Sequence, residues 1–254
     1  MSLGRAFILG LCLLVAGGLA HAQEEPLYRP TTDAELWLSS GFELRFFKEK
    51  KKSKKERTPE QQEKDAAKQL KLERSFKYNF RVTGELGYRG NENLTSSKLV
   101  YSVLGVRYRF HKYARLTIEH RYNFRDRYSV NTSRLDLQAD TDHDFGRYNV
   151  GYRLVYQHEF VVPIRYRDIL RHRVQVGWRT RKFDVDPYVS MESFTALHYT
   201  GNRLIGMRYG AGAEWDITKR HGVDVSLRND REQNLPDMQY RWIVGIAYKY
   251  TFRP

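Results

Sequence analysis

The chain has 254 residues, with 44 Lys and Arg against 30 Asp and Glu, a net charge of +14, 18 Tyr, 13 Phe and one cysteine. That length suits one β-barrel or one large sandwich. Beyond the first residues no stretch approaches the ~18 consecutive apolar residues of a membrane helix, which excludes a helical membrane protein but not a barrel.

The chain opens "MSLGRAFILGLCLLVAGGLAHAQ". Arg5 supplies a positive start, residues 6–19 an apolar run, and Ala20-His21-Ala22 a small-x-small cleavage site. This pattern predicts a signal peptide over residues 1–22, cut after Ala22 and lying outside the fold. The only cysteine, Cys12, leaves with it. Export makes nucleic acid a poor explanation of the basic balance. The acidic partners open to an exported chain are lipid phosphates, lipopolysaccharide, anionic polymers or an acidic protein surface. Residues 23–254 are expected to form one domain.

Alternation of period two begins at "AELWLSSGFELRFF" (34–47), with Leu36, Leu38, Phe42 and Leu44 opposite Glu35, Ser39, Glu43 and Arg45. It breaks at 48–74, a stretch with eleven Lys or Arg and six acidic residues. Thr58-Pro59-Glu60-Gln61 there has the form of a helix start, so a basic, partly helical insertion is expected. Its functional reading is a docking arm for an acidic partner; its plain reading is a solvated insertion. The alternation resumes at 76–89, 98–110 and "ARLTIEHRYNFRDRY" (114–128). It continues at 133–140, 147–160, 169–181, 187–197, 203–216, 222–230 and 239–252. These are eleven candidate strands, whereas a barrel with both ends on one side needs an even number. A strand missed in "EPLYRPTTD" or "VVPIRYRD", a split strand, or a separate crossing of the N-terminal segment would each account for the difference.

Alternation does not say which face meets water. Three features favour a barrel with its apolar face in lipid. Several strands exceed the ~5–6 residues usual in soluble sheets and match the ~9–11 of a tilted membrane strand. Tight connections at 111–114, 141–146, 182–186 and 217–221 contrast with longer ones at 161–168 and 229–238. Aromatic residues of the apolar face gather near strand ends, among them Tyr88, Tyr108, Tyr122, Trp215, Tyr248 and Tyr250. The expected fold is an all-β, antiparallel, up-and-down transmembrane barrel of about 10–12 strands. Leu116, Ile118, Tyr122 and Phe124 then face lipid. Arg115, Glu119, Arg121, Arg125, Arg153, Glu159, Arg171, Arg173, Arg179, Arg208 and Glu214 line the lumen. Glu119 is expected to pair with an arginine of a neighbouring strand, and Glu214 with Arg208. The surplus of Lys and Arg makes any open path favour anions; the alternative is a packed, salt-bridged interior.

Enzyme chemistry finds little support. "DTDHD" (140–144) could hold a metal or supply acid and base groups, but its place in an expected tight turn favours a solvated polar turn. His120, His158 and His172 fall on the apolar face without metal-ligand spacing. Ser102, Ser190, Ser193 and Ser226 sit in no nucleophile motif. No cofactor, catalytic or metal site is assigned.

The chain closes "GIAYKYTFRP", where Tyr248, Tyr250 and Phe252 alternate. This resembles the C-terminal signal that the outer-membrane assembly machinery reads, although Arg253 and Pro254 follow the last aromatic. Together with "GVRYRFHKYARLTIEHRYNFR", "YNVGYRLVYQHEF", "RHRVQVGW", "PYVSMES" and "GAGAEWDITKRHGVDVSLR", it makes residues 33–253 resemble an uncharacterised family of Gram-negative outer-membrane barrels, domain-of-unknown-function family 2490. The resemblance implies an outer-membrane location and lipid or lipopolysaccharide neighbours. It implies no catalytic residue, and 48–74 falls where the family has a tight turn. Three functions follow as expectations: a narrow anion-leaning pore or structural barrel, a partner subunit docking through 48–74, and a lipid- or peptide-modifying barrel enzyme.

Overall fold

The computed structural model describes residues 31–46, 76–91, 93, 96–125, 130–160, 168–180, 184–198, 201–235 and 237–253. The expected signal peptide and the 48–74 insertion lie outside the described residues. None of the described helices is long and apolar enough to cross a membrane.

Eleven strands form one closed barrel in the order β1-β11-β10-β9-β8-β7-β6-β5-β4-β3-β2. They are β1 (Thr31–Arg45), β2 (Phe80–Asn91), β3 (Ser96–His111), β4 (Ala114–Phe124), β5 (Thr132–Phe145) and β6 (Tyr148–Glu159), then β7 (Asp168–Trp178), β8 (Val185–Leu197), β9 (Arg203–Asp216), β10 (His221–Glu232) and β11 (Gln239–Phe252). One helical turn, α1 (Phe76–Asn79), precedes β2 and stacks Phe76 on Phe80 and Tyr108, at 5.1 and 5.4 Å between ring centroids. Strands of 11 to 16 residues repeat the period-two pattern long enough to hold one face inward throughout.

The even strand count is corrected. The described strands number eleven, and the odd number is accommodated because β1 pairs with β11 in parallel, from Thr31↔Gln239 to Leu44↔Phe252. All other neighbours are antiparallel. A parallel ladder satisfies the edge N–H and C=O groups as an antiparallel one would, so closure removes both edges. Consequently Thr31 and Phe252 lie at opposite ends of the barrel. Of "EPLYRPTTD" the described residues 31–33 begin β1, and of "VVPIRYRD" the described residue Asp168 begins β7; the rest of both stretches lies outside the described residues.

The end holding Phe252 carries the two-residue connections Lys112-Tyr113 and Gly146-Arg147. Gly146 takes φ +66°, a conformation that suits a residue without a Cβ. This turn is tighter than expected, because β5 runs on to Phe145 and takes "DTDHD" into the strand. The other end carries the connections after β2, β4, β6, β8 and β10.

The two faces of the wall are inverted relative to a protein core. On β4, Leu116 and Ile118 are 51% and 50% exposed, while Thr117 and Arg121 between and beyond them are 2% and 9% exposed. Glu35, Glu43, Asp136, Asp140, Glu192 and Asp230 are buried, whereas Leu86, Leu104, Val189, Leu227 and Val244 are exposed. The charges therefore occupy the inside and the aliphatic residues the outside.

The parallel seam has a direct test. In a cysteine-free background (Cys12→Ser), the pairs Leu36→Cys with Val244→Cys and Phe42→Cys with Tyr250→Cys are expected to cross-link on oxidation, since each joins register partners. An antiparallel seam cannot bring both pairs together, so cross-linking of one pair alone would contradict the parallel register.

Candidate functional site

The interior is organised by arginines stacked on aromatic rings. Arg121 of β4 lies 3.6 Å from the Tyr101 ring centroid, and Arg89 of β2 lies 5.3 Å from the same ring. Arg89 also stands 3.9 Å over Trp37 of β1. Arg208 of β9 reaches Trp37 at 5.1 Å and Phe194 of β8 at 4.9 Å, and Arg171 of β7 closes the series at 5.1 Å from Phe194. Arg228 of β10 approaches Trp37 at 5.6 Å. The result is a belt, Arg121–Tyr101–Arg89–Trp37–Arg208–Phe194–Arg171, that follows the wall from β4 to β1 and then crosses to β9. Such contacts stabilise by about 0.5–2 kcal/mol each, more where water is excluded.

Local sequence explains how the rings are held. Gly87 is the cross-strand partner of Tyr101, and a Cβ at Gly87 would run into that ring, so the missing side chain lets the ring lie along the wall. Tyr101 Oη donates to Glu85 at 2.6 Å, and Trp37 Nε1 donates to Glu35 at 2.7 Å.

Carboxylates serve one side of the belt. Glu192 accepts from Arg171 at 2.5 Å and lies 3.4 Å from Arg208, which pairs with Asp230 at 2.7 Å. Asp230 also lies 3.4 Å from Arg241 of β11, which reaches Glu35 of β1 at 3.9 Å. Towards the Phe252 end, buried Glu43 of β1 gathers Arg45, Arg81, Lys249 and Arg107 at 2.7, 2.8, 3.1 and 3.6 Å. Lys249 belongs to β11 and Arg81 to β2. These two networks therefore bridge the parallel seam from inside.

Among the described residues two cavities lie inside the barrel, and the larger adjoins the belt. The larger, about 690 Å³, is walled by Arg89, Arg121, Arg171, Arg208 and Arg228 and extends to Lys249 and Asp216. The smaller, about 340 Å³, is lined by Arg115, Asp142, Arg179 and Asp186, and shares Arg153, Arg173 and Glu214 with the first. Exposure falls along this path. Arg179 and Lys249, near the Phe252 end, are 56% and 53% exposed, whereas Arg208 and Asp230 at the belt are 15% and 8% exposed. Beyond the belt Leu99, Asn123, Thr132, Ala196 and Ile243 are buried and absent from the cavity wall. Among the described residues, the space becomes more exposed towards the Phe252 end.

The residues expected in the lumen fall into groups. Glu119, Arg121, Arg153, Arg171, Arg173, Arg208 and Glu214 border the larger cavity. Arg115 and Arg179 border the smaller one and pair with Asp142 and Asp144, at 2.8 and 3.1 Å. Glu159 lies beyond the belt, 4.0 Å from Arg134. Arg125 follows the last residue of β4, is exposed, and uses its backbone N–H to bond Asn131. The two expected pairings are replaced. Glu214 accepts from Gln175, Arg208 serves Glu192 and Asp230, and no described cation comes within ion-pair distance of Glu119.

"DTDHD" holds a finding that the turn reading hid. Asp140, Asp142 and Asp144 alternate along β5 and meet Arg153 of β6, Arg115 of β4 and Arg179, which follows β7. His143 points outward against Tyr113 and Phe145. With Asp224 and Asp230 of β10, these carboxylates offset part of the surplus of Lys and Arg. No group of three His, Cys, Asp or Glu among the described residues could hold a metal ion. His120, His158 and His172 bond Ser133, Asp168 and Tyr152, each at 2.7 Å. Buried Ser226 Oγ has no hydrogen-bond partner, so no base activates it. Outside, Tyr248 bonds His221, while Tyr250 packs on His221 and Phe252, and Phe252 on Phe42.

Residues 68–241 match the model of a family described as a protein of unknown function (DUF2490). No curated protein matches the chain, and no solved structure does.

Glu192 offers a test of the network. Glu192→Gln leaves Arg171 and Arg208 sharing a neutral amide in a buried site and is expected to cost about 3–5 kcal/mol in urea unfolding of the refolded barrel. Asp144→Asn, at the exposed Arg179 pair, is expected to cost under about 1 kcal/mol. Equal effects would contradict the difference in burial.

Proposed function

We propose that this chain, which belongs to the DUF2490 family, is an integral outer-membrane β-barrel whose lumen is a one-ended, charged vestibule closed by the arginine–aromatic belt. The inversion of the wall carries the reading. Each aliphatic side chain left in water forfeits about 1.5–3 kcal/mol of burial, and the outer face presents such residues on successive strands. An apolar surrounding removes that cost, and lipid is the surrounding that fits strands of this length. Aromatic residues at the strand ends, including the pair Tyr148 and Trp178 and the cluster around Phe252, suit the headgroup boundary.

The signal-peptide pattern of residues 1–22 and the alternating Tyr248, Tyr250 and Phe252 support the outer membrane as the location. They also support folding by the barrel-assembly machinery. The tight connections at the Phe252 end favour a periplasmic orientation for that end, which turns the mouth of the vestibule to the periplasm. The belt favours a structural or ligand-holding barrel over a freely conducting pore, since Trp37 of β1, Arg208 of β9 and Phe194 of β8 come together within the lumen.

In planar lipid bilayers the protein is expected to show no stable open channel. Trp37→Gly, refolded and verified by heat-modifiable gel mobility, is expected to give small discrete conductance steps. Stable ohmic conductance of the unaltered protein would overturn the closed-lumen reading.

A further inference from the structure

Two arginines of the belt have no carboxylate within ion-pair distance among the described residues. Arg89 and Arg121 both border the larger cavity, and neither takes part in an ion pair among the described residues. Arg121 is 9% exposed, and the Nε atoms of both are buried without a hydrogen-bond acceptor. The other cations that act on Arg89 are Arg121, Arg208 and Arg134. A buried guanidinium without an anion is costly, and gathering like charges adds to that cost.

Stacking accounts for how the arrangement persists and for what it leaves free. Tyr101 and Trp37 take the guanidinium faces. A guanidinium that spends its face on a ring keeps its N–H edge, the part that grips phosphate or carboxylate with two parallel bonds. Two carboxylates beside the rings are already engaged, Glu85 by Tyr101 and Glu35 by Trp37, and Asp136, which also acts on Arg121, is paired with Arg134 at 2.8 Å. The edges therefore lack a partner supplied by the wall. A cavity of about 690 Å³ lies before them, within the range that small-molecule sites occupy. The mouth leading to it carries Lys249 and Arg179 as exposed cations.

We propose that Arg89 and Arg121, with Arg134 and Arg208 beside them, form a binding site for a small doubly charged oxyanion, the phosphate or dicarboxylate head of an organic molecule entering from the mouth. The site rests on the reading of the barrel as lipid-embedded with a closed belt. Tyr101 and Trp37 are its positioning residues, because they fix the planes of the two guanidinium groups. The anion supplies the missing charge, so binding and barrel stability are linked.

The test uses the full chain refolded in detergent, with heat-modifiable mobility checked on every sample. Thermal unfolding is followed in sodium phosphate, sodium succinate and sodium chloride at equal ionic strength. A saturable rise in midpoint is expected with phosphate or succinate and not with chloride. Response to phosphate alone assigns a phosphoryl head, and response to succinate a carboxylate head. Arg89→Gln and Arg121→Gln are expected to weaken the apparent affinity about tenfold or more. Without added anion, Arg89→Gln is expected to be at least as stable as the unaltered barrel, since it relieves the crowding of cations. Arg89→Lys keeps the charge but loses the fork and is expected to bind more weakly. Lys219→Gln, in the exposed β9–β10 connection and outside both cavity walls, is expected to respond as the unaltered protein does. Equal midpoints in all three salts, or an undiminished response in Arg89→Gln, would overturn the site. Because those samples remain heat-modifiable barrels, the membrane reading would stand.

Discussion

A closed sheet with an apolar outside has no choice about its inside. Side chains alternate, so each leucine or valine sent outward sends a neighbour into a narrow volume. Here those neighbours are largely arginines, aspartates and glutamates, and removing them from water is costly unless each finds compensation. The structure compensates in two ways. Carboxylates such as Glu43 and Glu192 each serve several cations. Aromatic faces hold the arginines that carboxylates do not reach, with Trp37 shared by three strands' arginines. The parallel seam depends on the same networks, since Glu43 and Arg241 bridge β1 and β11 from within.

This arrangement divides the interior. Around Arg208 and Glu192 the charges are matched and little exposed. Towards the Phe252 end the ion pairs become exposed, and by the usual behaviour of exposed pairs they contribute little to stability. Charge at the mouth is therefore free to act on solutes, whereas charge at the belt holds the wall together. Arg89 and Arg121 are the exception, placed at the belt with buried Nε atoms yet without an ion pair among the described residues, and a ligand is the simplest source of the missing charge.

Much of the wall was legible in the sequence because period-two alternation is local. The strands around 98–110, 114–128, 203–216 and 239–252 are found close to where the pattern put them, with β4 ending at Phe124. Their inward positions follow from the same alternation. Partners were not legible, since they depend on register between strands. Glu214 and Arg208 share β9 and looked like a pair, but cross-strand neighbours Asp230 and Glu192 claim Arg208. "DTDHD" misled because aspartate is a common turn residue, while its true signal was the alternation of Asp140, Asp142 and Asp144. Trp37 offered no local hint of its role, which exists only once β1, β2, β9 and β10 surround it. The direction of the β1–β11 pairing was equally hidden, since parity alone does not reveal how the ends of a sheet meet.

The central claim is that the outward face meets lipid and the inward face does not. The four tryptophans divide on this point, with Trp178, Trp215 and Trp242 about half exposed on the outside and Trp37 inside the belt. Single-tryptophan variants reconstituted in vesicles containing brominated phospholipid report contact with acyl chains by fluorescence quenching. The account predicts strong quenching for variants retaining Trp178, Trp215 or Trp242 and little for the one retaining Trp37. Quenching of Trp37, with the other three unaffected, would contradict it.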